Sequence, residues 1–270
     1  MRTVNKETVL CISVASRPGN LGTIVHNAGY QALGLNFLYQ AFGVSNIVGA
    51  IAGVRALGIR GCSVSMPFKE TVIPCLDDIH ETARQVGAVN TVVNSDGVLV
   101  GHNTDVTAAQ WALEAVGVMV GETILVLGAG GMARAVLAAL KGRSCPNILV
   151  ANRTAGRAED FGVETVAWDE RNSVPADILI NATPVGMVPD HEVMPVSAQS
   201  LSRFRAVIDV VSRPPRSRLV AQAEAKRLTA VSGDLLSLQQ AMKQFTLYTG
   251  EPAPEQAMYT ALQEALSTAG

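Results

Sequence analysis

The amino-acid sequence predicts an α/β protein with two domains, of which the second contains a doubly wound parallel sheet. Up to about residue 104, short β-rich segments alternate with helical stretches, a spacing typical of a parallel or mixed sheet. Beyond it, short segments that are apolar almost throughout follow one another, and strands that are apolar on both faces are buried on both faces. The 270 residues are enough for one large domain or for two of roughly 130 residues, each with its own core.

The first part of the chain contains four predicted strands and two predicted helices. The strands are TVLCISV, LNFLYQAF, IRGCSVSM and VNTVVN, and the helices lie around residues 25–33 and 47–57. Pro67 follows SVSM and has no N–H for a strand ladder, so we expect it to occupy the first turn of a new helix. That helix would place Lys69 near the carboxyl edge of the sheet, where open α/β sheets bind ligands.

The second part begins with a predicted helix, TDVTAAQWALEAVG, for which Thr104 or Asp105 can serve as the N-cap and Gly117 as the stop. Five predicted strands follow, namely TILVL, NILVA, ADILINA, AVIDVV and LTAVSG. From residue 235 onward the pattern predicts two more helices, separated at Gly250 and Pro252. The pattern alone does not assign these two helices to either domain.

Composition argues against several classes of function. The 21 Lys+Arg nearly balance the 23 Asp+Glu, and a net charge of -2 without charge blocks gives no field that would steer the chain onto nucleic acid or an anionic membrane. The first residues do not resemble a signal peptide, and Glu122 interrupts the apolar run that comes nearest to the roughly 18 residues of a membrane helix. We therefore expect a cytoplasmic protein with no nucleic-acid or membrane partner.

The cysteines and histidines show no pattern typical of a disulfide framework or a metal site. The four cysteines are far apart, which predicts reduced and mostly buried thiols at Cys11, Cys62, Cys75 and Cys145. The histidines are equally scattered, so we expect no metal site from His26, His80, His102 and His191. His102 adjoins a polar motif and could line a cleft, although a surface histidine is the commoner case.

The segment TILVLGAGGMARAVLAAL is the strongest local signal for a ligand site, because an apolar strand runs directly into three glycines and then into a helix. Gly128 allows the tight turn, Gly130 lets a pyrophosphate approach the backbone, and Ala133 fills the small position where helix packs on strand. The helix N-terminus presents free N–H groups to the phosphates. We expect dinucleotide contacts, rather than a merely structural turn, from Gly128, Ala129, Gly130, Gly131, Met132 and Ala133.

The end of the following strand predicts NADP rather than NAD. Folds that select NAD place an acidic residue about 20 residues beyond the glycines, whereas this chain has Asn152, followed by Arg153 and Arg157. A guanidinium can hold a 2′-phosphate with two charge-assisted hydrogen bonds, while Asn152 and Thr154 offer neutral ones. The two arginines could instead be solvated surface charges, and stacking of Arg153 on the adenine would allow some use of NAD.

Lys69 and Asp105 are candidates for proton transfer. A lysine held near a carboxylate at a ligand-binding edge can donate and accept a proton, because burial shifts the pKa of an ammonium group readily. By themselves the two residues are modest indicators, since a lysine at a helix start is usually solvated and Asp105 could be only a helix cap.

Six motifs resemble, in this order, those of the shikimate dehydrogenase family. They are MPFKE at 66–70, AVNT at 88–91, NTD at 103–105, GAGG at 128–131, NRT at 152–154 and NAT at 181–183. The resemblance implies an NADP-linked oxidoreductase that interconverts shikimate, or a related cyclic hydroxy acid, and its 3-dehydro ketone. It also implies a substrate domain over 1–104, a Rossmann cofactor domain over 105–236, C-terminal helices over 237–270 that pack on the substrate domain, and a substrate in the cleft between the domains.

The resemblance assigns roles to individual residues. It makes Lys69 and Asp105 catalytic, acting on the hydroxyl or ketone oxygen while a hydride passes to or from the nicotinamide. The implied substrate contacts are Ser13, Asn20, Ser63, Ser65, Asn90 and Gln240. The implied contacts with the nicotinamide half of the cofactor are Thr183, Val185, Met187, Val210 and Gly233. Both a monomer and a homodimer fit this reading.

In three departures from the family pattern, the chain resembles a shikimate dehydrogenase-like subgroup. Ahead of His26 the family's serine pair is replaced by SVASRPGN, Ser63 and Ser65 stand in place of an asparagine and a threonine, and Ser212 stands in place of a tyrosine. These changes remove or move groups that would bind a carboxylate and ring hydroxyls. A quinate or aminoshikimate dehydrogenase using NAD or NADP is therefore an alternative. So is a non-catalytic dinucleotide-binding regulatory module, although the intact lysine and aspartate motifs argue against it.

Overall fold

A computed structural model describes residues 4–141, 143, 147–154 and 156–267. Among them, the residues from 4 to 103 form six strands and three α-helices, numbered in chain order. The strands are β1 (Val9–Ala15), β2 (Phe37–Gly43), β3 (Gly61–Val64), β4 (Asp78–Ile79), β5 (Thr91–Ser95) and β6 (Val98–His102). The helices are α1 (Leu21–Ala32), α2 (Ile47–Ala56) and α3 (Glu81–Val86).

The described residues from 104 onward add six strands and five α-helices. The strands are β7 (Thr123–Leu127), β8 (Asn147–Ala151), β9 (Glu164–Val166), β10 (Ile178–Asn181), β11 (Ala206–Asp209) and β12 (Thr229–Val231). The helices are α4 (Thr104–Ala115), α5 (Gly131–Lys141), α6 (Arg218–Ala225), α7 (Gly233–Thr249) and α8 (Glu255–Ser267). Across the described residues, no helix combines the length and the apolar character needed to span a bilayer.

Contacts between residues divide the chain into two compact units. The first contains the residues up to Thr104 together with those from Leu238 onward, and the second runs from Asp105 to Ser237. Helix α7 therefore starts in the second unit and continues into the first.

The sheet of the first unit is mixed, in the order β2-β1-β3-β5-β6-β4. Strand β1 is parallel to β2 and β3, whereas β5 is antiparallel to both β3 and β6. A tight turn at Asp96 and Gly97, with φ of 51° and 91°, joins β5 to β6 and accounts for their antiparallel pairing. The short strands β4 and β6 were not among the predicted segments.

The sheet of the second unit is parallel throughout, in the order β12-β11-β10-β7-β8-β9. Its central strands are buried along their length, and residues 124–127 of β7 are 0% exposed. A reversal of strand order on either side of β7 is the doubly wound arrangement, which places loops that bind ligands at the carboxyl ends of the strands. The predicted fold class is confirmed.

The segment around Pro67 corrects one prediction. No helix begins there, since residues 66–72 form successive turns and the next regular element is a short 3-10 helix over Ile73–Cys75. The Met66–Pro67 peptide bond is cis. The Phe68 N–H donates to the Ser65 carbonyl at 3.0 Å, which closes a tight turn instead of starting a helix. The N-cap prediction is also shifted, since α4 already begins at Thr104 and Asp105 lies in its first turn.

The two C-terminal helices pack on α1 in the first unit. The Tyr30 ring of α1 lies 5.1 Å from the Phe245 ring of α7. At Gly29 the helices come so close that a Cβ would lie 2.9 Å from Phe245 Cε2 and 3.1 Å from Met258 Cγ of α8. A side chain at this position would push the helices apart, so the small residue belongs to the core of this unit.

Candidate active site

In the second unit, the glycine turn after β7 has the geometry that a dinucleotide site requires. Gly128 has a φ of 105°, and a Cβ at this position would lie 3.0 Å from both the Ala182 carbonyl oxygen and Thr183 Cγ2. The Gly128 N–H donates to the Ala151 carbonyl at 2.8 Å, which fixes the turn against β8. Only glycine combines this backbone conformation with this close approach.

The space in front of α5 is open. Gly130 and Gly131 are exposed, and a Cβ on either would meet no atom within 4 Å. The first N–H groups of an α-helix have no partner within the helix and attract phosphate oxygens. Ala133, the third residue of the helix, is 0% exposed. The residues of this cradle therefore fit a pyrophosphate, with Ala129 and Met132 half-buried beside it.

The end of β8 lies at the same edge of the sheet, because Ala151 pairs with Leu127 of β7. Asn152 is used locally, donating its Nδ2 to the Thr154 carbonyl at 2.9 Å. Arg153 and Arg157 are exposed, and neither forms an ion pair or a hydrogen bond with another described residue. Two uncommitted guanidinium groups at this edge fit a 2′-phosphate.

The residues expected beside the nicotinamide lie on the segments after β10 and β11 of the second unit and at the start of α7. Thr183 and Val185 follow β10 and are held by Asn181, which accepts from the Thr183 N–H at 3.2 Å and donates to the Val185 carbonyl at 3.1 Å. Val210 follows β11 and packs on Gly233, where a Cβ would lie 2.6 Å from the Val210 carbonyl carbon.

The segments after β10 and β11 are joined by the Val188 N–H, which donates to the Arg213 carbonyl at 3.0 Å. Met187 precedes this bond and is 41% exposed. The structure thus brings the predicted nicotinamide residues together at the carboxyl edge.

In the first unit, three of the predicted motifs meet at Asn90. The Lys69 carbonyl accepts from the Val89 N–H at 2.7 Å, which holds the lysine loop beside this strand end. Asn90 is 4% exposed, and its Oδ1 accepts from the Thr104 N–H at 2.8 Å and from the Thr91 hydroxyl at 2.8 Å. The amide oxygen of Asn90 therefore anchors the start of α4. Lys69 itself is half-buried.

Asp105, the second residue of α4, is 4% exposed and follows directly on the anchored Thr104. A carboxylate in the first turn of a helix is stabilised by the helix dipole. The backbone just before the predicted catalytic carboxylate is thus anchored at Thr104.

A row of hydroxyl groups crosses the sheet of the first unit. Ser13 of β1 pairs with Ser63 of β3, and Ser63 pairs with Thr91 of β5. Burial raises the pKa of the Tyr39 phenol, and hydrogen bonds with Ser63 and Ser13 partly oppose that rise. Gln244 of α7 donates to Thr91 Oγ1 at 2.9 Å and to Ser63 Oγ at 3.2 Å.

Gln244 is a residue that the sequence reasoning missed. The predicted Gln240 lies one helical turn earlier and is half-buried, and the i, i+4 spacing of the two glutamines was the signal that both share one face of α7. The other predicted contacts, Ser65 and Asn20, are exposed, and the Asn20 side chain does not cap α1.

His26 belongs to the same buried group. Its ring stacks on Tyr39 with centroids 4.3 Å apart and an interplanar angle of 3°, and its Nε2 lies 3.4 Å from Gln244 Oε1. Burial lowers the pKa of His26 to about 4, so the ring is neutral at pH 7. The histidine is thus part of a neutral polar network.

His102 is also neutral at pH 7, because burial and then the nearby His80 and Lys243 lower its pKa to about 4. Its ring stacks on His80 with centroids 4.9 Å apart. Among the described residues, no cluster of three or more His, Cys, Asp or Glu side chains is arranged to hold a metal ion. Cys11 and Cys62 are buried and Cys75 is half-buried, whereas Cys145 lies outside the described residues.

Comparison with protein families gives two matches that together span most of the chain. Residues 21–92 match the model of the shikimate dehydrogenase substrate binding domain. Residues 110–212 match the model of shikimate / quinate 5-dehydrogenase.

Individual relatives cover nearly the whole chain. A shikimate dehydrogenase-like protein of Haemophilus influenzae is 40% identical over 251 residues, which is 91% of this chain and 92% of the relative. The structure of shikimate 5-dehydrogenase from Thermus thermophilus in complex with NADP(H) and shikimate is 33% identical, with a TM-score of 0.86 over 96% of this chain and 100% of that one. The ligand-free 5-ketofructose reductase of Gluconobacter sp. strain CHM43 is 31% identical, with a TM-score of 0.90 over 97% and 100%.

Proposed function

We propose that this chain, which belongs to the shikimate dehydrogenase family, interconverts shikimate or a closely related cyclic hydroxy acid and its ketone with NADP as the hydride carrier. The family membership confirms the resemblance predicted from the six motifs. The observation that carries the proposal is the open cradle before α5, at the edge of a parallel sheet where two exposed arginines, with no bond to another described residue, follow the neighbouring strand.

NADP is favoured by the residues at the end of β8. Gly130 and the first N–H groups of α5 would hold the pyrophosphate, and Arg153 and Arg157 the 2′-phosphate. NADP supplies or accepts the hydride when it is bound. The Thermus thermophilus relative was solved with NADP(H), which agrees with this choice. NAD remains a weaker alternative cofactor, since the pyrophosphate cradle serves both.

Lys69 and Asp105 would handle the proton. In the direction of ketone reduction, Lys69 Nζ gives a proton to the carbonyl oxygen, and in the direction of alcohol oxidation it takes the hydroxyl proton. The Asp105 carboxylate would accept a hydrogen bond from a substrate hydroxyl and so orient the reacting carbon. The support for these roles is the motif match and the anchoring of both segments around Asn90.

The substrate would be held by hydroxyl and amide groups of the first unit. Ser13, Ser63 and Gln244 are neutral groups that can pair with hydroxyl groups on a ring or on an open chain. This observation favours a second candidate function, the reduction of a polyhydroxy ketone without a carboxylate, because one relative of similar fold is a 5-ketofructose reductase. Quinate and aminoshikimate are further candidate substrates.

An assay of the purified protein tests the proposal. Shikimate, quinate and aminoshikimate are offered with NADP or NAD, 5-ketofructose is offered with the reduced cofactors, and absorbance of the reduced nicotinamide is followed. We expect turnover of a cyclic hydroxy acid with a preference for NADP. Turnover of 5-ketofructose alone would favour the second candidate, and cofactor binding without turnover on any compound would indicate a non-catalytic module.

A further inference from the structure

Asp209 is a buried carboxylate at the centre of the second unit's carboxyl edge. It ends β11, pairs with Asn181 of β10 and is 0% exposed. Its Oδ1 accepts from Asn181 Nδ2 at 2.9 Å and from the Val211 N–H at 3.1 Å, and its Oδ2 accepts from the Ser217 hydroxyl. A buried carboxylate is costly unless such donors surround it, and an apolar residue would fill the site at lower cost.

The three donors come from the end of β10, from the start of the segment after β11 and from the N-cap of α6. Asn181 in turn holds the segment after β10 through Thr183 and Val185, the Val211 amide begins the segment after β11, and Ser217 caps α6 by accepting from the Val220 N–H at 3.2 Å. A single carboxylate therefore ties the two segments that carry the expected nicotinamide contacts to each other and to the start of a helix.

We propose that Asp209 is a positioning residue for hydride transfer, whose ionised carboxylate holds the 182–188 and 210–217 segments in the arrangement that receives the nicotinamide ring. The inference rests on the proposed function, because it gives those segments a nicotinamide to position. Asp209 acts through Asn181, Val211 and Ser217 and need not touch the cofactor.

The environment of Asp209 makes its charge state responsive to pH. Burial raises the pKa of Asp209 to about 6, and hydrogen bonds from Ser217, Val211 and Asn181 partly oppose that rise. Its three hydrogen-bond donors, Asn181, Val211 and Ser217, are neutral, and no charged side chain of the described residues contributes to the shift. Protonation would turn one acceptor oxygen into a donor and so weaken the tie to the segment on that side.

The test compares Asp209→Asn with the wild type and with Asp177→Asn. The Asn variant keeps the shape and one acceptor oxygen but cannot become an anion. Asp177 provides a matched control, because it is an exposed carboxylate at the opposite edge of the same sheet. Its Oδ2 also accepts a backbone hydrogen bond, from the Thr123 N–H at 2.8 Å.

Amide hydrogen exchange without cofactor gives the first readout. In the wild type, exchange at Val185 and Val211 should become faster as pH falls through 6, after correction for intrinsic rates. Asp209→Asn should exchange fast on both sides of that pH, and Asp177→Asn should follow the wild type. Identical exchange in all three proteins would overturn the proposal.

Calorimetry with two probes gives the second readout. NADPH carries the nicotinamide, whereas adenosine 2′,5′-bisphosphate carries the adenosine with its 2′- and 5′-phosphates and has no nicotinamide. In calorimetry, Asp209→Asn should weaken the binding of NADPH, while binding of the adenosine probe stays as in the wild type. In a steady-state assay the same variant should lower kcat by about 10- to 100-fold. Equal loss for both probes, or unchanged NADPH binding and kcat, would overturn the proposal even if the wild type is an active dehydrogenase. A wild type that binds neither probe would instead refute the proposed function, and this proposal with it.

Discussion

The strongest test of the cofactor assignment is the removal of the two arginines that follow β8. In Arg153→Ala/Arg157→Ala, the sheet and the glycine cradle stay intact, because both side chains are exposed and bond to no described residue. A hydrogen bond to a charged group contributes about 1.5–3 kcal/mol, and exposure places each arginine at the lower end. The two arginines together should therefore contribute about 3 kcal/mol to binding of the 2′-phosphate, which corresponds to about 100-fold in the ratio of NADP affinity to NAD affinity.

The ratio of the two affinities is the quantity to measure, since a stacking contact of Arg153 with the adenine is common to both cofactors and cancels. Dissociation constants for NADPH and NADH are obtained by fluorescence titration at fixed ionic strength. Arg227→Asn is the matched control, because it removes an exposed cation before β12 at a residue with φ of 60°, a conformation that asparagine tolerates. If the double variant preferred NADPH as strongly as the wild type does, the hypothesis that Arg153 and Arg157 bind the 2′-phosphate would be refuted.

Three further predictions concern catalysis, packing and pH. Lys69→Ala should lower kcat by about 10² to 10⁴ with NADPH affinity unchanged by titration, and full turnover would remove Lys69 from the mechanism. Gly61→Ala places a Cβ 2.3 Å from Tyr248 Cδ1 and should cost about 1–3 kcal/mol in urea unfolding, whereas Gly53→Ala in α2, with nothing within 4 Å, should stabilise slightly. The pKa of His26 is lowered from 6.5 to about 4 in the folded protein. As pH falls from 6.5 to 4, the unfolded chain therefore binds a proton at this histidine before the folded protein does. The free energy of unfolding should fall by about 3 kcal/mol over that range. His26→Gln should lose this part of the pH dependence, and parallel curves for the two proteins would contradict it.

The architecture could be predicted wherever local pattern and tertiary burial agree. The strands of the second unit are apolar on both faces because helices or loops cover both faces. The glycine turn could be predicted because an apolar strand precedes it and a helix follows it in the sequence. The segment after Pro67 could not be predicted, because a proline suits both a first helical turn and a tight turn, and the choice depends on contacts made elsewhere, such as the Val89 N–H on the Lys69 carbonyl.

The candidate site was predicted unevenly for a similar reason. Motif residues such as Gly128 and Asn90 could be predicted from the residues next to them in the sequence. Gln244 and His26 meet across 218 positions of the chain, so no local spacing connects them. Asp209 looks in the sequence like the polar end of a strand, and only the burial of its carboxylate among three donors shows how much of that edge depends on it.

The placement of α7 and α8 sets the order in which the chain can fold during synthesis. The second unit has all of its residues once Ser237 has left the ribosome, so its sheet can form while translation continues. The first unit must wait, because Tyr30, made early, finds its partner Phe245 only near the end of the chain. Until α7 and α8 are made, the apolar cluster around Tyr30 and Tyr39 lacks Phe245, Tyr248 and Met258, so part of this core stays exposed on the nascent chain.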